Sequence, residues 1–369
     1  MRRRRLNFIL SVQLVLFLAH GVVFATWISF WGPTGPGGIS KLALIFAFLS
    51  VSFVGASLLA FRYYNILVRA LYTVAAAWLG ILNFCFLASL ACWIVYAGVR
   101  LAGLRWPSRD LAAVLFGFAF LTAAYGIANS LFLRVRRLDV TLPNLPPAWR
   151  GRVAALVSDA HLGPVRGAGF SRRVVSMLNR LQPDVVFLTG DFYDGTAADL
   201  VGFASPLADL TAPLGAYFVT GNHEEFTIAQ KYVEALTKAG VRVLHMEKVN
   251  VDGLQIIGIP YHEMATSDRF RAALRSTGLD PAAPSVLLIH APNRLWEAEQ
   301  AGISFQLSGH THKGQFFPWT RVVRRMYGKF AYGLQKLDNM QVYTTSGAGT
   351  WGPPVRLGSD PEIVLFRFV

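Results

Sequence analysis

The sequence has 369 residues, of which 53% are hydrophobic, and its formal net charge is +14 at pH 7. The charge is uneven: residues 1–138 contain 13 Lys or Arg and one acidic residue, whereas residues 139–369 contain 22 and 20. Charge that flanks hydrophobic segments is typical of membrane topology, so we expect no nucleic-acid partner for the nearly neutral remainder. Both cysteines, Cys85 and Cys92, lie in the hydrophobic part, which excludes a disulfide framework or a thiolate zinc site from the rest.

The N-terminal third contains four apolar stretches, each with the roughly 20 residues that a helix needs to cross a bilayer. They are Leu6–Trp31, Leu42–Phe61, Leu71–Val99 and Leu111–Leu133. We therefore interpret residues 1–138 as a transmembrane region with four helices. The first stretch exceeds the usual length of a signal-peptide core, so cleavage is the weaker alternative. Whether these helices only anchor the chain or also handle lipid stays open.

Basic residues at the ends of these stretches predict the orientation, because such residues favour the cytoplasmic side. The inside clusters are Arg2–Arg5, Arg62 with Arg69, and Arg134 with Arg136 and Arg137. Contrary evidence comes from Arg100, Arg105 and Arg109, which this orientation places outside. Four spans return the chain to its starting side, so we expect a multi-pass protein with a cytoplasmic C-terminal domain.

A proline-rich linker over 139–150 is expected to precede a domain over 151–369, in which strand-like and helix-like runs alternate. The predicted strands include Val153–Ser158, Asp184–Thr189, Ala216–Thr220, Val241–Leu244, Ser285–Ile289, Phe305–Leu307, Gln341–Thr345 and Ile363–Phe368, with a hairpin over Val249–Ile259. The predicted helices are Ser171–Leu181, Ala198–Leu210, Phe226–Ala239, Arg269–Thr277 and Arg294–Ala301. Such alternation is typical of an α/β fold.

Polar residues that can bind metals directly follow five of these apolar strands. The five segments contain Asp159 and His161, then Asp191, then Asn222 and His223, then His290, and finally His310 and His312. Loops beyond the carboxyl ends of strands commonly form the site in α/β sheets, so we expect these residues to meet there.

Oxygen and imidazole donors without cysteine suit manganese, iron or zinc. This number of candidate ligands exceeds what one tetrahedral ion uses, which favours two divalent ions, with manganese our first choice. A paired site can bind a phosphoryl group and generate hydroxide near neutral pH.

These five segments, D-x-H, G-D, G-N-H-E, H and G-H-x-H, resemble the signature of the calcineurin-like metallophosphoesterase superfamily over residues 150–369. The resemblance implies a β-sandwich with flanking helices. It also implies that Asp159, His161 and His312 bind the first metal, that Asp191 bridges both metals, and that Asn222, His290 and His310 bind the second. His223 would donate a proton to the leaving oxygen or stabilise the phosphoryl group, so His223 and Asp191 are the catalytic candidates.

The segments at 307–315 and 345–350 resemble those of membrane-associated bacterial members, some of which hydrolyse UDP-2,3-diacylglucosamine. This resemblance implies location in a bacterial inner membrane. Lys313 and Ala291 depart from the subgroup pattern beside the site, which weakens transfer of that substrate.

The aromatic and basic stretch after His312 fits either a lipid substrate, a membrane interface or an ordinary packed loop. We name Lys313 and Arg321 as candidate substrate-binding residues. The predicted function is a membrane-anchored hydrolase in which metal-bound hydroxide attacks a phosphodiester or pyrophosphate, in a lipid-linked substrate at the cytoplasmic face. The alternatives are a hydrolase of soluble nucleotides and a metal-binding regulatory module without turnover; the oligomeric state stays open.

Other polar residues near the motifs have ordinary explanations. Glu224 could orient His223 or serve as an acid at a helix N-terminus. Asp194 is expected to be a turn or cap residue. His245 and His262 lack motif neighbours and are expected to be structural.

Overall fold

A computed structural model describes residues 2–32, 35, 37–226 and 229–369, in which the chain divides into two compact units. One unit comprises residues 1–128 and 352–355, and the other comprises residues 129–351 and 356–369. Residues 227 and 228, which fall within the predicted helix Phe226–Ala239, lie outside the described residues.

Four helices form most of the N-terminal unit in its described part: α1 (Arg2–Trp31), α2 (Gly38–Ala60), α3 (Ile66–Leu101) and α4 (Ser108–Asn129). Each is long and apolar enough to cross a membrane, by length and composition. The four expected apolar helices are confirmed, with α3 starting five residues before the expected Leu71. Polar side chains within this unit pair with each other: Trp78 Nε1 donates to His20 Nε2 at 2.9 Å.

Two mixed six-stranded sheets form the second unit within its described residues. The first has the order β1 (Arg134–Val140), β12 (Glu362–Phe368), β2 (Val153–Val157), β3 (Val185–Thr189), β4 (Ala216–Val219) and β5 (Arg242–Val243). The second has the order β10 (Gly333–Leu337), β11 (Met340–Thr344), β9 (Phe305–Ser308), β8 (Ser285–Leu288), β7 (Leu254–Gly258) and β6 (Glu247–Val251).

The core lies between the two sheets because alternate residues of each strand point to one face. Leu156 and Phe187 of the first sheet pack in one buried cluster with Val286, Leu288 and Leu307 of the second. The other face of the second sheet packs on helices, and the helices in this unit are α5 (Ala168–Leu181), α6 (Leu200–Ala204), α7 (Asn222–Glu225), α8 (Ala229–Lys238), α9 (Ser267–Ser276), α10 (Leu295–Gln300) and α11 (Trp319–Tyr327). The expected β-sandwich with flanking helices is confirmed.

The sheet begins earlier than the sequence indicates. Arg134–Val140, expected to flank the last span, forms β1 and pairs in parallel with Glu362–Phe368. The expected linker over 139–150 is part of the fold, because Trp149 is fully buried and donates from Nε1 to the Val251 carbonyl at 2.8 Å. An edge strand with three arginines does not show the alternation on which strand prediction depends.

Parallel pairing explains how distant motifs come together. β2, β3 and β4 are parallel neighbours in the first sheet, and β7, β8 and β9 are parallel neighbours in the second. The loops that leave β2, β3, β4, β8 and β9 carry the motif residues at the carboxyl ends of these strands. The motif residues therefore gather along one edge of the sandwich.

Candidate metal centre

The first cluster of possible ligands contains Asp159, His161 and His312, all of them buried. His161 Nε2 lies 3.0 Å from His312 Nε2. His312 Nε2 lies 3.3 Å from Asp159 Oδ1, and His161 Nε2 lies 3.9 Å from the same oxygen. The loops after β2 and β9 thus bring three donor atoms to one point.

The second cluster contains Asp191, His290 and His310, with Asn222 beside it. His290 Nε2 lies 3.1 Å from Asp191 Oδ2 and 3.1 Å from Asn222 Oδ1. His310 Nδ1 lies 3.2 Å from His290 Nε2. Asp191 Oδ2 is also 3.9 Å from His161 Nε2, so this carboxylate lies between the two clusters.

The donor atoms fit metal ions by spacing and by chemistry. Metal–nitrogen bonds are about 2.1 Å long, so neighbouring ligands of one ion lie roughly 3 to 3.5 Å apart. The closest donor pairs described above have this separation. Buried ring nitrogens that face each other also need a cation or a proton between them, because their lone pairs repel. The set of imidazole and oxygen donors suits manganese, iron or zinc.

The charge balance of the second cluster depends on one close pair. Burial opposes ionisation of His290, but Asp191 and Asp159 outweigh it and raise the pKa of His290 to about 10. The same imidazole, with His223, outweighs the effect of burial on Asp191 and holds the pKa of that carboxyl well below its ordinary value. Asp191 therefore carries its charge at neutral pH, as a metal ligand must.

The neighbouring histidines are held neutral. Burial, followed by the charge of His290, lowers the pKa of His310 to about 3. Burial, followed by His161 and Arg356, holds the pKa of His312 well below its ordinary value. Both rings therefore keep lone pairs available for a metal near neutral pH.

His223 lies beside both clusters without belonging to the same donor groups. Its Nδ1 donates to the Asp194 carbonyl at 2.8 Å, which leaves Nε2 facing Asp191 Oδ2 at 3.9 Å. Its backbone N–H donates to Asp191 Oδ1 at 2.9 Å. Burial opposes its protonation, but Asp191 and Asp194 raise its pKa above the ordinary value. Nε2 can therefore carry a proton toward the space between the clusters.

Comparisons with known proteins agree with this geometry. The family model described as calcineurin-like phosphoesterase matches residues 153–314. An uncharacterized metallophosphoesterase of Aquifex aeolicus is 32% identical over 256 residues, which cover 67% of this chain and 96% of that protein. The chain belongs to the calcineurin-like metallophosphoesterase family.

Two vertebrate relatives match this metallophosphoesterase over only part of their own length. Each is named a transmembrane protein with metallophosphoesterase domain. The one from Danio rerio is 34% identical over 65% of this chain and 59% of its own length. The one from Bos taurus is 35% identical over 62% of this chain and 55% of its own length. The chain thus spans little more than half of these relatives.

The metallophosphoesterase centre uses unusual backbone conformations. Five of its residues have a positive φ: Asp159 (53°), His161 (47°), Asp191 (50°), His310 (68°) and His312 (48°). L-residues rarely adopt this region, and such residues concentrate at functional sites where surrounding contacts hold them. Glycines allow the close approaches: a Cβ at Gly221 would collide with Asp191, and one at Gly309 would collide with Asp159.

Glu224 holds two loops of the metallophosphoesterase centre in place. Its Oε2 accepts from the backbone N–H groups of Asp191 at 2.9 Å and Gly221 at 2.8 Å, and its Oε1 accepts from Tyr193 N–H at 2.9 Å. Burial, followed by the charge of Asp191, raises the pKa of Glu224 to about 7. Glu224 is thus an acid at the start of α7, and it also joins this helix to the Asp191 loop.

Sequence reasoning missed Arg356, which is fully buried behind His312. Its guanidinium donates to the His312 carbonyl at 3.1 Å and to Ser359 Oγ at 2.7 Å. It also donates to the Gly349 carbonyl at 2.5 Å. Arg356 therefore joins the loop that carries His310 and His312 to the loop that follows β11, and no motif spacing marks it.

Asp194, expected to be a turn residue, lies beside two of the site histidines. Its Oδ1 is 3.3 Å from His161 Nδ1 and 3.8 Å from His223 Nδ1, and these three side chains form a further group of possible ligands. The His161 contact is close, but its geometry is not that of a hydrogen bond. The sequence signal for this contact is the position of a carboxylate three residues after Asp191.

The two candidate substrate-binding residues contact aromatic rings rather than the donor clusters. Lys313 Nζ lies 4.4 Å from the centre of the Tyr332 ring, and Arg321 Cζ lies 5.3 Å from that of Phe317. Their role in binding stays a prediction. His262 pairs with Glu225 at 3.0 Å and is in none of the groups of possible ligands found among the described residues.

An aromatic rim borders the metallophosphoesterase centre at His223. The His223 ring centre is 4.8 Å from that of Phe226 and 6.1 Å from that of Trp351. Phe226 is 50% exposed and Trp351 is 58% exposed. Two exposed aromatic rings beside a proton-carrying imidazole offer a contact surface for an apolar part of a substrate.

Proposed function

We propose that this chain is a membrane-anchored phosphoester hydrolase that uses two divalent ions, with manganese as the first candidate. The observation that carries the proposal is the pair of donor clusters, with Asp191 Oδ2 of the second 3.9 Å from His161 Nε2 of the first and with His223 beside both. Asp159, His161 and His312 would hold one ion, and Asn222, His290 and His310 the other. When bound, two such ions activate water and stabilise negative charge on a phosphoryl group.

The protein itself supplies the proton for the leaving oxygen. The Asp194 carbonyl fixes the proton on His223 Nδ1, so only Nε2 is free to donate to a substrate. Asp191 and Asp194 favour the protonated ring, and loss of the Nε2 proton to the leaving oxygen gives a neutral imidazole. Water then returns the proton to the ring.

A lipid-linked phosphodiester or pyrophosphate at the cytoplasmic face of a bacterial inner membrane is the proposed substrate. Four helices long and apolar enough to cross a membrane, within the described residues, support a substrate that is held in a bilayer. The exposed rings of Phe226 and Trp351 beside His223 favour an apolar substrate group. The subgroup resemblance makes a nucleotide-linked diacyl sugar the first compound to try.

The test is hydrolysis by the full-length protein in detergent, loaded with manganese. A panel would pair each lipid pyrophosphate or phosphodiester with its short-chain, water-soluble analogue and with nucleotides. We expect the acyl-chain compounds to be turned over with the higher kcat/KM. Equal turnover of soluble nucleotides would contradict the lipid substrate, and metal binding without turnover of any compound or of bis-p-nitrophenyl phosphate would contradict the hydrolase.

A further inference from the structure

Helix α11 begins seven residues after His312 and presents an apolar ridge to solvent. Trp319, Val322 and Met326 are 51%, 43% and 70% exposed. They are spaced by three and four residues, so they lie along one side of the helix. No residue of Trp319–Tyr327 is buried. Large apolar side chains are therefore exposed together rather than singly.

The remaining positions of α11 divide into an inner and a basic side. Thr320, Val323 and Tyr327 are half-buried and share the side that faces the domain. Arg321, Arg324 and Arg325 are exposed. By helical spacing Arg325 adjoins the apolar ridge, whereas Arg321 and Arg324 lie between Arg325 and the inner side. The helix thus uses only part of its apolar surface for packing, and the basic side borders the part that it leaves exposed.

The charged residues next to α11 in the sequence are all basic. Residues 313–337 contain six Lys or Arg and no acidic residue. The rest of residues 139–369 contains 16 basic and 20 acidic residues, a net charge of −4. A positive patch on an otherwise weakly negative domain favours an anionic partner.

The fold holds α11 in position. The backbone of Trp319 and Thr320 approaches Gly314 so closely that a Cβ there would collide with it. Arg321 stacks over Phe317, whose ring is 38% exposed and adjoins the ridge in sequence. The apolar ridge and its arginines are thus a fixed surface next to the loop that carries His310 and His312.

We propose that α11, with Phe317, docks on a bilayer surface that contains anionic phospholipids. Trp319, Val322 and Met326 would enter the interface between headgroups and acyl chains, and the arginines would contact lipid phosphates. A nucleic acid would satisfy the arginines but leave the apolar ridge exposed to water, whereas an anionic membrane satisfies both. The four candidate spans keep such a surface within reach of this chain. The proposal does not depend on the hydrolase activity.

The test is lipid quenching of a fluorophore on the full-length protein in nanodiscs. Met326→Cys would be labelled with an environment-sensitive dye in a Cys85→Ala, Cys92→Ala background, and the discs would contain nitroxide-labelled lipid in phosphatidylglycerol. A matched control label at Asp268→Cys lies on α9, where the side chain is 98% exposed. We expect quenching and a blue shift at position 326 and neither at position 268.

The arginine contribution is tested in the same discs. Arg325→Gln, next to the ridge, should lower the docked-to-undocked ratio by roughly fivefold. Replacing phosphatidylglycerol with phosphatidylcholine should also lower the docked-to-undocked ratio. This comparison leaves all the arginines in place. Equal quenching at positions 326 and 268 would overturn the proposal. Shielding of the label that requires two protein copies per disc would overturn it as well, because the ridge would then bind a second copy.

Discussion

A single carboxylate at position 224 connects two ligand loops without touching a ligand side chain. It accepts hydrogen bonds from three backbone N–H groups, two of them in the Asp191 loop. Those bonds hold the positive-φ conformation of Asp191 and the start of the helix that carries Asn222 and His223. Glu224 is therefore a positioning residue whose loss should disturb the metal ligands.

Glu224→Gln removes one acceptor oxygen and places an amide N–H₂ against a backbone donor. We expect the free energy of unfolding to fall by about 1–3 kcal/mol, because a buried N–H loses its partner. Urea unfolding of the full-length protein in detergent, with metal content, would measure both effects. The matched control is Glu234→Gln on the exposed side of α8, where a change within about 0.5 kcal/mol is expected. Equal stability of both variants would contradict the role of Glu224.

Asp191→Ala and His223→Ala should separate metal binding from proton donation. Asp191 belongs to the second cluster and its Oδ2 lies 3.9 Å from His161 Nε2 of the first, so its loss should abolish binding of a metal pair. His223→Ala should keep the metal and lower kcat by about 10²–10⁴, the range that proton transfer supplies. Metal analysis and turnover of bis-p-nitrophenyl phosphate give the two readouts. A His223→Ala protein with unchanged kcat would exclude the proton donor, and Asp191→Ala with two bound ions would exclude the shared ligand.

The motif residues themselves could be named from the sequence, because residue types that bind metals directly follow five separate apolar strands. Such a repeated arrangement is uncommon in one chain. Arg356 could not, since its contacts join loops 44 residues apart and depend on burial. Asp194 shows a related limit: its carbonyl, not its side chain, fixes the His223 tautomer. Main-chain roles of this kind leave no mark on residue type.

At the scale of elements, strong apolar runs were predictable and weak ones were not. The strands that precede the motifs, and the apolar helices before residue 130, are each defined by runs of hydrophobic residues. The predicted elements did not include β1, β10 or α11. β1 and β10 lie at sheet edges and alternate charged with apolar residues irregularly. The spacing of Trp319, Val322 and Met326 does fit a helix, so α11 could have been predicted from its period.

Trp149 tests whether the segment before β2 belongs to the core. Its ring packs edge-on against Phe368 with 5.2 Å between centres, and its Nε1 donates to Val251. Trp149→Ala should lower the free energy of unfolding by about 3–5 kcal/mol, as expected for a buried tryptophan. Trp296, 57% exposed, gives the control substitution, for which about 0.5 kcal/mol or less is expected. The measurement is urea unfolding in detergent, and equal losses would argue that 139–150 is a linker after all.

At the scale of the whole molecule, the distribution of basic residues predicts which side of the membrane carries the catalytic domain. Cysteine labelling in bacterial spheroplasts tests it, in a Cys85→Ala, Cys92→Ala background. Asp268→Cys should react with a membrane-impermeant maleimide only after lysis, whereas Arg105→Cys, between α3 and α4, should react in intact spheroplasts. This result is expected because the four candidate spans, if all cross the membrane, return the chain to the side of its N-terminus. Reaction of Asp268→Cys before lysis would place the domain outside.

Strand β12 lies between β1 and β2, although it follows β2 by more than 200 residues in the chain. The first sheet therefore cannot close while residues 362–368 remain inside the ribosome, even after every metal-ligand loop has been synthesised. The four candidate membrane spans, by contrast, are complete before any strand of this sheet has been synthesised. The nascent domain must consequently stay unfinished for most of its synthesis, with exposed strand edges for which chaperones are the natural protection.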